Sequence, residues 1–342
     1  MTLKFDSQQG LDEANDSLPL DAQSLGETLG IDPSLVSDSI WKTALLDPVR
    51  YAAQGGGKRF RARLTTLSWE LGGGLAGACP RELPELIELI HSGSLIIDDI
   101  EDSSDTRRGR PSLHVQTGVP TALNAGSWLY FWPLFRMLSA SRRGEVLQQR
   151  AVQTLMRAHC GQALDVHVTG PDVATNEIHG LVLATTTLKT GALMELAAFS
   201  GASASGAEDS TVNAIAVFGQ QLGIGLQMLD DLSGFRTARK RQKVIEDLVN
   251  HRLTWPWAWL SKTVSEVEFA GFRKTWAQLN ANRKPQADAL IDELAEGLGE
   301  YGQSQVSTHL ASAFSTLAET NVNPGALGEL RREINRLENS YG

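Results

Sequence analysis

Apolar residues recur at intervals of three and four, as in Leu83, Leu86, Ile87, Ile90 and then Leu95, and this spacing runs from about residue 37 onward. Such spacing lays one apolar stripe along a helix, whereas alternating β-branched runs closed by hairpin turns are scarce. The chain therefore reads as all-α. Its breaks are short: GGGK at 55–58, LGGGLAGACPRELP at 71–84, SDTRRGRPS at 104–112, TGPDVAT at 169–175, SGASASGAEDS at 200–210 and ANRKP at 281–285. Connections of this length join antiparallel neighbours. No solenoid period and no shift in composition marks a second unit, so residues 37–342 read as a single large helical bundle. Residues 1–36 are polar and acidic and read as an N-terminal extension. Near the C-terminus, Leu327, Leu330, Ile334 and Leu337 form one stripe that docks on the body or meets a second subunit.

Composition narrows the function. Of 342 residues, 42% are hydrophobic and 21% charged, which excludes disordered and collagenous chains. The net charge of −9 argues against a nucleic-acid surface and leaves any anionic ligand to local basic clusters or metal ions. Cys79 and Cys160 cannot build a disulfide framework and lack metal-ligand spacing. The first residues carry acids where a targeting peptide carries bases, and no stretch reaches the roughly 18 apolar residues of a membrane span. The expected compartment is the cytoplasm, with no transmembrane segment.

The chemistry concentrates in LIELIHSGSLIIDDIEDSSDTRRGRPSLH, residues 86–114. Asp98, Asp99 and Asp102 stand at i, i+1 and i+4 at the end of an apolar helix, so all three carboxylates project to one side. Like charges among Leu95, Ile96, Ile97 and Ile100 require cations. A few carboxylates with positions left open for water and phosphate oxygens are the usual way to hold Mg²⁺. Arg107 and Arg108 follow at once, and they suit either phosphate or the acids themselves. A second pair, Asp230–Asp231, ends another apolar run with Gln227 one turn earlier. Carboxylates projecting from two facing helices can form a cage in a bundle interior. GGGKRFRARL offers Lys58, Arg59, Arg61 and Arg63 after a glycine run, a recurrent phosphate-binding arrangement. LKTG puts Lys189, Thr190 and Gly191 inside a helical run, where glycine can kink the helix and turn a carbonyl inward.

Taken together, GGGKRFR, SLIIDDIEDSSDTRRGRPSLH, GQALD at 161–165, LKTG, LQMLDDL and EDLVNHRLTWP at 246–256 resemble the trans-isoprenyl diphosphate synthase family, in family order. Within it, the wording is most similar to the geranylgeranyl diphosphate synthases. The resemblance implies an all-helical bundle of the isoprenoid synthase type with a central apolar cavity, assembled as a homodimer or larger. It implies that Asp98, Asp99, Asp102, Asp230 and Asp231 hold Mg²⁺ on an allylic diphosphate contacted by Arg107, Lys189 and Arg252. Lys58, Arg61, His91 and Arg108 would hold isopentenyl diphosphate. Thr190 and Gln227 would steady the allylic cation after its C–O bond breaks, and the released diphosphate would take the final proton. Three positions depart from the family pattern. Gly234 replaces a third acid, His251-Arg252-Leu253-Thr254 stands for GK-x-T, and Gln242 replaces a lysine, with Lys243 beside it.

One helical turn, about 5.4 Å, separates the acids from Gly93 and Ser94. Both are small, so the hydrocarbon pocket is expected to pass a fifteen-carbon tail unless Trp128, Tyr130, Phe131 or Trp132 closes it lower down. A twenty-carbon or longer product follows. Two other classes compete: a class I terpene cyclase, whose second motif Asp230–Gly234 does not complete, and a non-catalytic partner subunit.

Overall fold

The computed structural model describes residues 18–19, 21–280 and 284–339. Helices α1 (Ala22–Leu29), α2 (Asp38–Trp41) and α3 (Asp47–Ala53) lead into the bundle, the last two joined by a π turn, Lys42–Leu46. The body follows as α4 (Phe60–Leu71), α5 (Glu82–Glu101), α6 (Leu113–Thr117), α7 (Val119–Ala140), α8 (Gly144–His167), α9 (Thr175–Thr186), α10 (Ala192–Ala204) and α11 (Asp209–Arg236). Then come α12 (Ala238–Val249), α13 (Trp255–Thr263), α14 (Glu266–Trp276), α15 (Lys284–Leu298), α16 (Tyr301–Ala318) and α17 (Pro324–Asn339). Among the described residues the one sheet is a two-stranded ribbon, β1 (Thr106–Arg107) against β2 (Arg110–Pro111). Part of the stretch read as an extension belongs to the core, which corrects that reading there: α1 is capped by Asp21, and Leu18 and Leu25 are buried in the main hydrophobic cluster.

Helix α10 is the axis of the bundle. Every residue from Ala192 to Ser203 is buried, the signature of a helix surrounded by others. Its small residues permit close crossings: a Cβ on Gly201 would lie 1.9 Å from the Thr65 carbonyl of α4, and one on Gly219 of α11 would lie 2.5 Å from Ala198 Cβ. Glu195, buried in this core, accepts from Arg150 at 2.6 Å, Arg157 at 2.8 Å and Gln220 at 2.8 Å, which satisfies its charge. Helices α5 and α7 cross closely in the same manner.

The expectation that no segment has membrane-spanning length and composition is corrected. Thr175–Ala204 and Asp209–Phe235 pass that test, with more than half of each buried inside the protein. The C-terminal stripe docks on the body: Leu330 and Ile334 are buried, α17 packs on α4, and Arg63 pairs with Glu329. Cys79 and Cys160 are free thiols.

Candidate active site

The end of α5 carries Asp98, Asp99 and Asp102 into the site. Ser103, with φ of 53°, turns the chain and lets Ser104 N–H donate to the Asp99 carbonyl at 2.9 Å, closing the helix. The β1–β2 ribbon then reverses through Arg108 (φ 54°) and Gly109 (φ 76°), the two positive φ angles of a tight hairpin turn. This reversal brings Arg107 back onto the acids: its Nε lies 2.7 Å from Asp99 Oδ1 and its Nη2 3.2 Å from Asp98 Oδ2. Asp99 is only 4% exposed, and burial raises its carboxyl above the usual range despite Arg107. Asp102 is also raised by burial and by the neighbouring Asp98 charge.

Helix α8 supplies residues that sequence reasoning left without a role. Gln162 donates to Asp98 Oδ1 at 3.3 Å and Glu101 Oε2 at 2.5 Å. Asp165 accepts from Lys189 Nζ at 2.6 Å, and Lys189 also lies 3.6 Å from Asp98 Oδ1. The GQALD motif explains itself in these contacts. A Cβ on Gly161 would meet Leu188 and Lys189, so glycine there admits the lysine segment, and Asp165 one turn on receives its ammonium. Lys189 and Thr190 sit in a π turn, Thr187–Gly191, within a helix that is otherwise continuous. A π turn is a common local distortion at functional sites.

Arg252 Nη2 reaches Asp102 Oδ1 at 2.5 Å, and its Nη1 donates to the Asp165 carbonyl. Its loop is closed by His251, at φ 55°, where the GK-x-T pattern that the segment resembles has glycine. Arg252 N–H donates to the Asp247 carbonyl at 2.8 Å, and His251 Nε2 lies 3.0 Å from the Trp276 carbonyl oxygen. Histidine thus occupies a left-handed position, at a cost of about 1–2 kcal/mol, under tertiary restraint. Arg59, Ser103, Arg108 and His251 are the non-glycine residues with positive φ among those described, and all four lie in loops of this site.

The second acid pair faces the same loop. Thr190 Oγ1 donates to Gln227 Oε1 at 2.9 Å, Gln227 Nε2 donates to Asp231 Oδ1 at 2.7 Å, and Trp255 N–H donates to Asp231 Oδ2 at 3.1 Å. Burial pushes the Asp231 carboxyl up to about 6. Asp230 is different: burial opposes its charge, but Lys243 and Lys240 bring it down to about 2. Asp247, one turn beyond Lys243, is pushed up to about 7 by burial. Among the described residues, no three carboxylates converge as a ready metal cage. The five expected acids therefore stand as two groups, each contacted by the chain's own cations and amides.

A separate basic group surrounds His91. Arg108 donates to the Gly56 carbonyl and packs on Gly57, whose φ of 122° and lack of a Cβ admit the guanidinium. His91 is held neutral, well below its ordinary value, by burial and by the charges of Arg61, Arg108 and Arg107. Its Nδ1 is buried with no hydrogen-bond partner among the described residues. Lys58 is exposed at the start of this segment, and Arg61 lies on the first turn of α4.

The two proposed pocket residues separate. A Cβ on Gly93 would lie 2.9 Å from the Gly126 carbonyl and 3.0 Å from Leu129 Cβ, so Gly93 faces the α7 crossing. Ser94 lies one turn before Asp98 on the same face. Phe131 is 70% exposed on the outer face of α7, which corrects its place as a pocket floor, while Trp132 is buried and stacks on Trp128 with centroids 4.9 Å apart.

An all-helical bundle with acid-rich ends on α5 and α11 and Arg252 between them is the arrangement expected of an isoprenyl diphosphate synthase. The polyprenyl synthetase family model matches residues 42–293, and the chain belongs to that family. It is 32% identical over 245 residues to a geranylgeranyl diphosphate synthase of Cyanophora paradoxa, covering 66% of this chain and 78% of that one. A geranylgeranyl diphosphate synthase of Mycobacterium tuberculosis is 29% identical over 296 residues, 82% of each chain. The heptaprenyl diphosphate synthase structure from Staphylococcus aureus superposes with a TM-score of 0.75 at 20% identity, covering 98% of this chain and 99% of that one, which shows the shared fold.

Proposed function

We propose that this chain condenses isopentenyl diphosphate with an allylic diphosphate to give a trans-polyprenyl diphosphate of twenty carbons or somewhat more. One observation carries the reading: the carboxylates of α5 and α11 meet a single basic loop, while a second basic group lies around His91, two helical turns or about 11 Å back along α5. Two anion sites and an apolar interior suit two diphosphate esters.

Asp98, Asp99 and Asp102 would hold a divalent metal, taken to be Mg²⁺. Their hard oxygen donors at one helix end fit such an ion, and burial leaves Asp99 and Asp102 short of positive charge even with Arg107 and Arg252 in place. When bound, the metal neutralises charge developing on the leaving diphosphate. The chain's own groups do the rest. Arg107, Lys189 and Arg252 exchange carboxylate for phosphate oxygens and orient the allylic ester as its C–O bond breaks. Lys58, Arg61, Arg108 and neutral His91 hold isopentenyl diphosphate so that its double bond meets the allylic carbon. The Thr190 hydroxyl and the Gln227 amide, already joined to each other, present fixed dipoles to the cation. The apolar walls exclude water that would quench it. A new C–C bond forms, and the departing diphosphate takes the proton that is lost.

The same reading includes a homodimer. Leu123, Phe131, Phe135 and Leu138 are exposed apolar residues along α7, and Val152 and Met156 are exposed on α8.

Incubation with Mg²⁺, labelled isopentenyl diphosphate and each of the C5, C10 and C15 allylic diphosphates tests the proposal. The expected dephosphorylated product is a C20 alcohol, abolished by chelation. Hydrocarbon released without isopentenyl diphosphate would mean a cyclase, and no product at all a partner subunit.

A further inference from the structure

Both acid groups carry donors from the chain, and the second differs from the first in having two acids rather than three and two ammonium groups on one of them. Lys240 Nζ lies 2.9 Å from Asp230 Oδ1, and Lys243 pairs with Asp230 Oδ2. Asp231 gives one oxygen to the Gln227 amide and the other to Trp255 N–H. All four oxygens thus already carry a donor from the chain. A third acid would stand at position 234, but a Cβ there would lie 2.2 Å from Val244 Cγ2. Helix α12 has taken that space. Lys240, Lys243, Val244 and Asp247 follow at i, i+3, i+4 and i+7, so one face of α12 both excludes the acid and delivers the lysines. Lys240 is further fixed by Ser233 Oγ at 2.9 Å. The second pair thus offers a metal ion two carboxylates, one of them already held by two ammonium groups, where α5 offers three.

We propose that Lys240 and Lys243 are built-in counter-ions of the second acid pair, supplying there the positive charge that a metal would otherwise bring. An active site then binds one metal ion fewer than the same chain without these lysines. The ammonium groups stand where a diphosphate reaching this end of the site would meet them, so charge is balanced without the additional ion. This inference rests on the prenyl-transfer reading.

The test counts metal rather than turnover. The full chain and the Lys240→Met/Lys243→Met variant are dialysed to equilibrium against Mn²⁺ with methylenebisphosphonate, and bound manganese per chain is measured by atomic emission and by the EPR signal of the free ion. The expected result is one more ion per chain in the variant, with the parental count restored in Lys240→Arg/Lys243→Arg. Equal counts in parent and Met variant overturn the proposal. If the double variant does not fold by circular dichroism, Lys243→Met alone is used, since its side chain is half-exposed. Its weakest-held ion should then bind about five- to tenfold tighter for the loss of one nearby like charge, and unchanged binding overturns the proposal. If the parent takes up neither manganese nor bisphosphonate, the prenyl-transfer reading itself fails and this inference falls with it, an outcome distinct from equal counts.

Discussion

Gly234→Ala probes the contact that seats α12 against α11. The added methyl would lie 2.2 Å from Val244 Cγ2 and 3.3 Å from the Lys240 carbonyl. Val244 is buried and, being β-branched in a helix, has one strongly preferred rotamer, so it cannot swing aside and α12 must shift. Alanine gains about 1 kcal/mol of helix propensity over glycine. Overpacking of this kind costs about 1–3 kcal/mol. The net expectation is a loss of about 0–2 kcal/mol. Val244→Ala alone also destabilises, by about 1–3 kcal/mol for two buried methyl groups. In the double variant the new methyl occupies space that Val244 vacated, so the two changes couple favourably by about 1–2 kcal/mol. Urea unfolding of the four proteins, followed by circular dichroism, measures the cycle. If Gly234→Ala is stabilised by the full propensity gain, or if the double variant equals the sum of the singles within about 0.5 kcal/mol, Val244 does not close that position and the reasoning fails.

Further outcomes are expected. His251→Ala should be less stable than His251→Gly by about 1 kcal/mol, because alanine keeps the left-handed strain while both lose the ring contact to Trp276; a more stable alanine variant in urea would refute the strain. Asp231 has its folded pKa raised to about 6, so the folded chain binds this proton more readily than the unfolded one, and its contribution to stability falls as pH rises from 4 to 6. Asp231→Asn should therefore gain on the parent by up to about 3 kcal/mol between pH 4 and pH 7, and a difference in unfolding free energy that stays flat across that range would contradict it. Phe131→Glu/Phe135→Glu places charge on the exposed apolar residues of α7 and should convert the proposed dimer to a monomer by sedimentation, whereas a dimer in both proteins would remove this face from the interface. Ser94→Phe should shorten the main product, while Gly93→Ala, pressed against the Gly126 carbonyl, should lose stability at unchanged product length; the reverse pattern would put Gly93 in the pocket.

The legible parts of this protein were those written in local spacing. Asp98, Asp99 and Asp102 announce their shared face through helical periodicity, and Arg107 follows closely enough to return onto them. LKTG signalled a distortion, realised as a π turn. Lys240 carried no such signal, and Asp247 entered only as part of the EDLVNHRLTWP stretch, without a role. Each is an ordinary residue of a charged segment, and it matters because α12 folds back onto α11. Phe131 shows the opposite failure: its proximity to Trp132 suggested a shared floor, but neighbours in a helix point about 100° apart, one inward and one to the surface.

The sequence alone determined the helical class, the acid-rich end of α5 and the basic segments around it, because periodicity and charge spacing act within a turn or two of chain. Tertiary structure decided which cation sits on which acid. Arg252 reaches Asp102 across 150 positions of sequence, and Lys189 reaches Asp165 across 24. Those pairings depend on glycine crossings such as Gly161 against Lys189 and on the seat of α12 over Gly234. Close packing of helices, rather than the local preference of any segment, sets such distances.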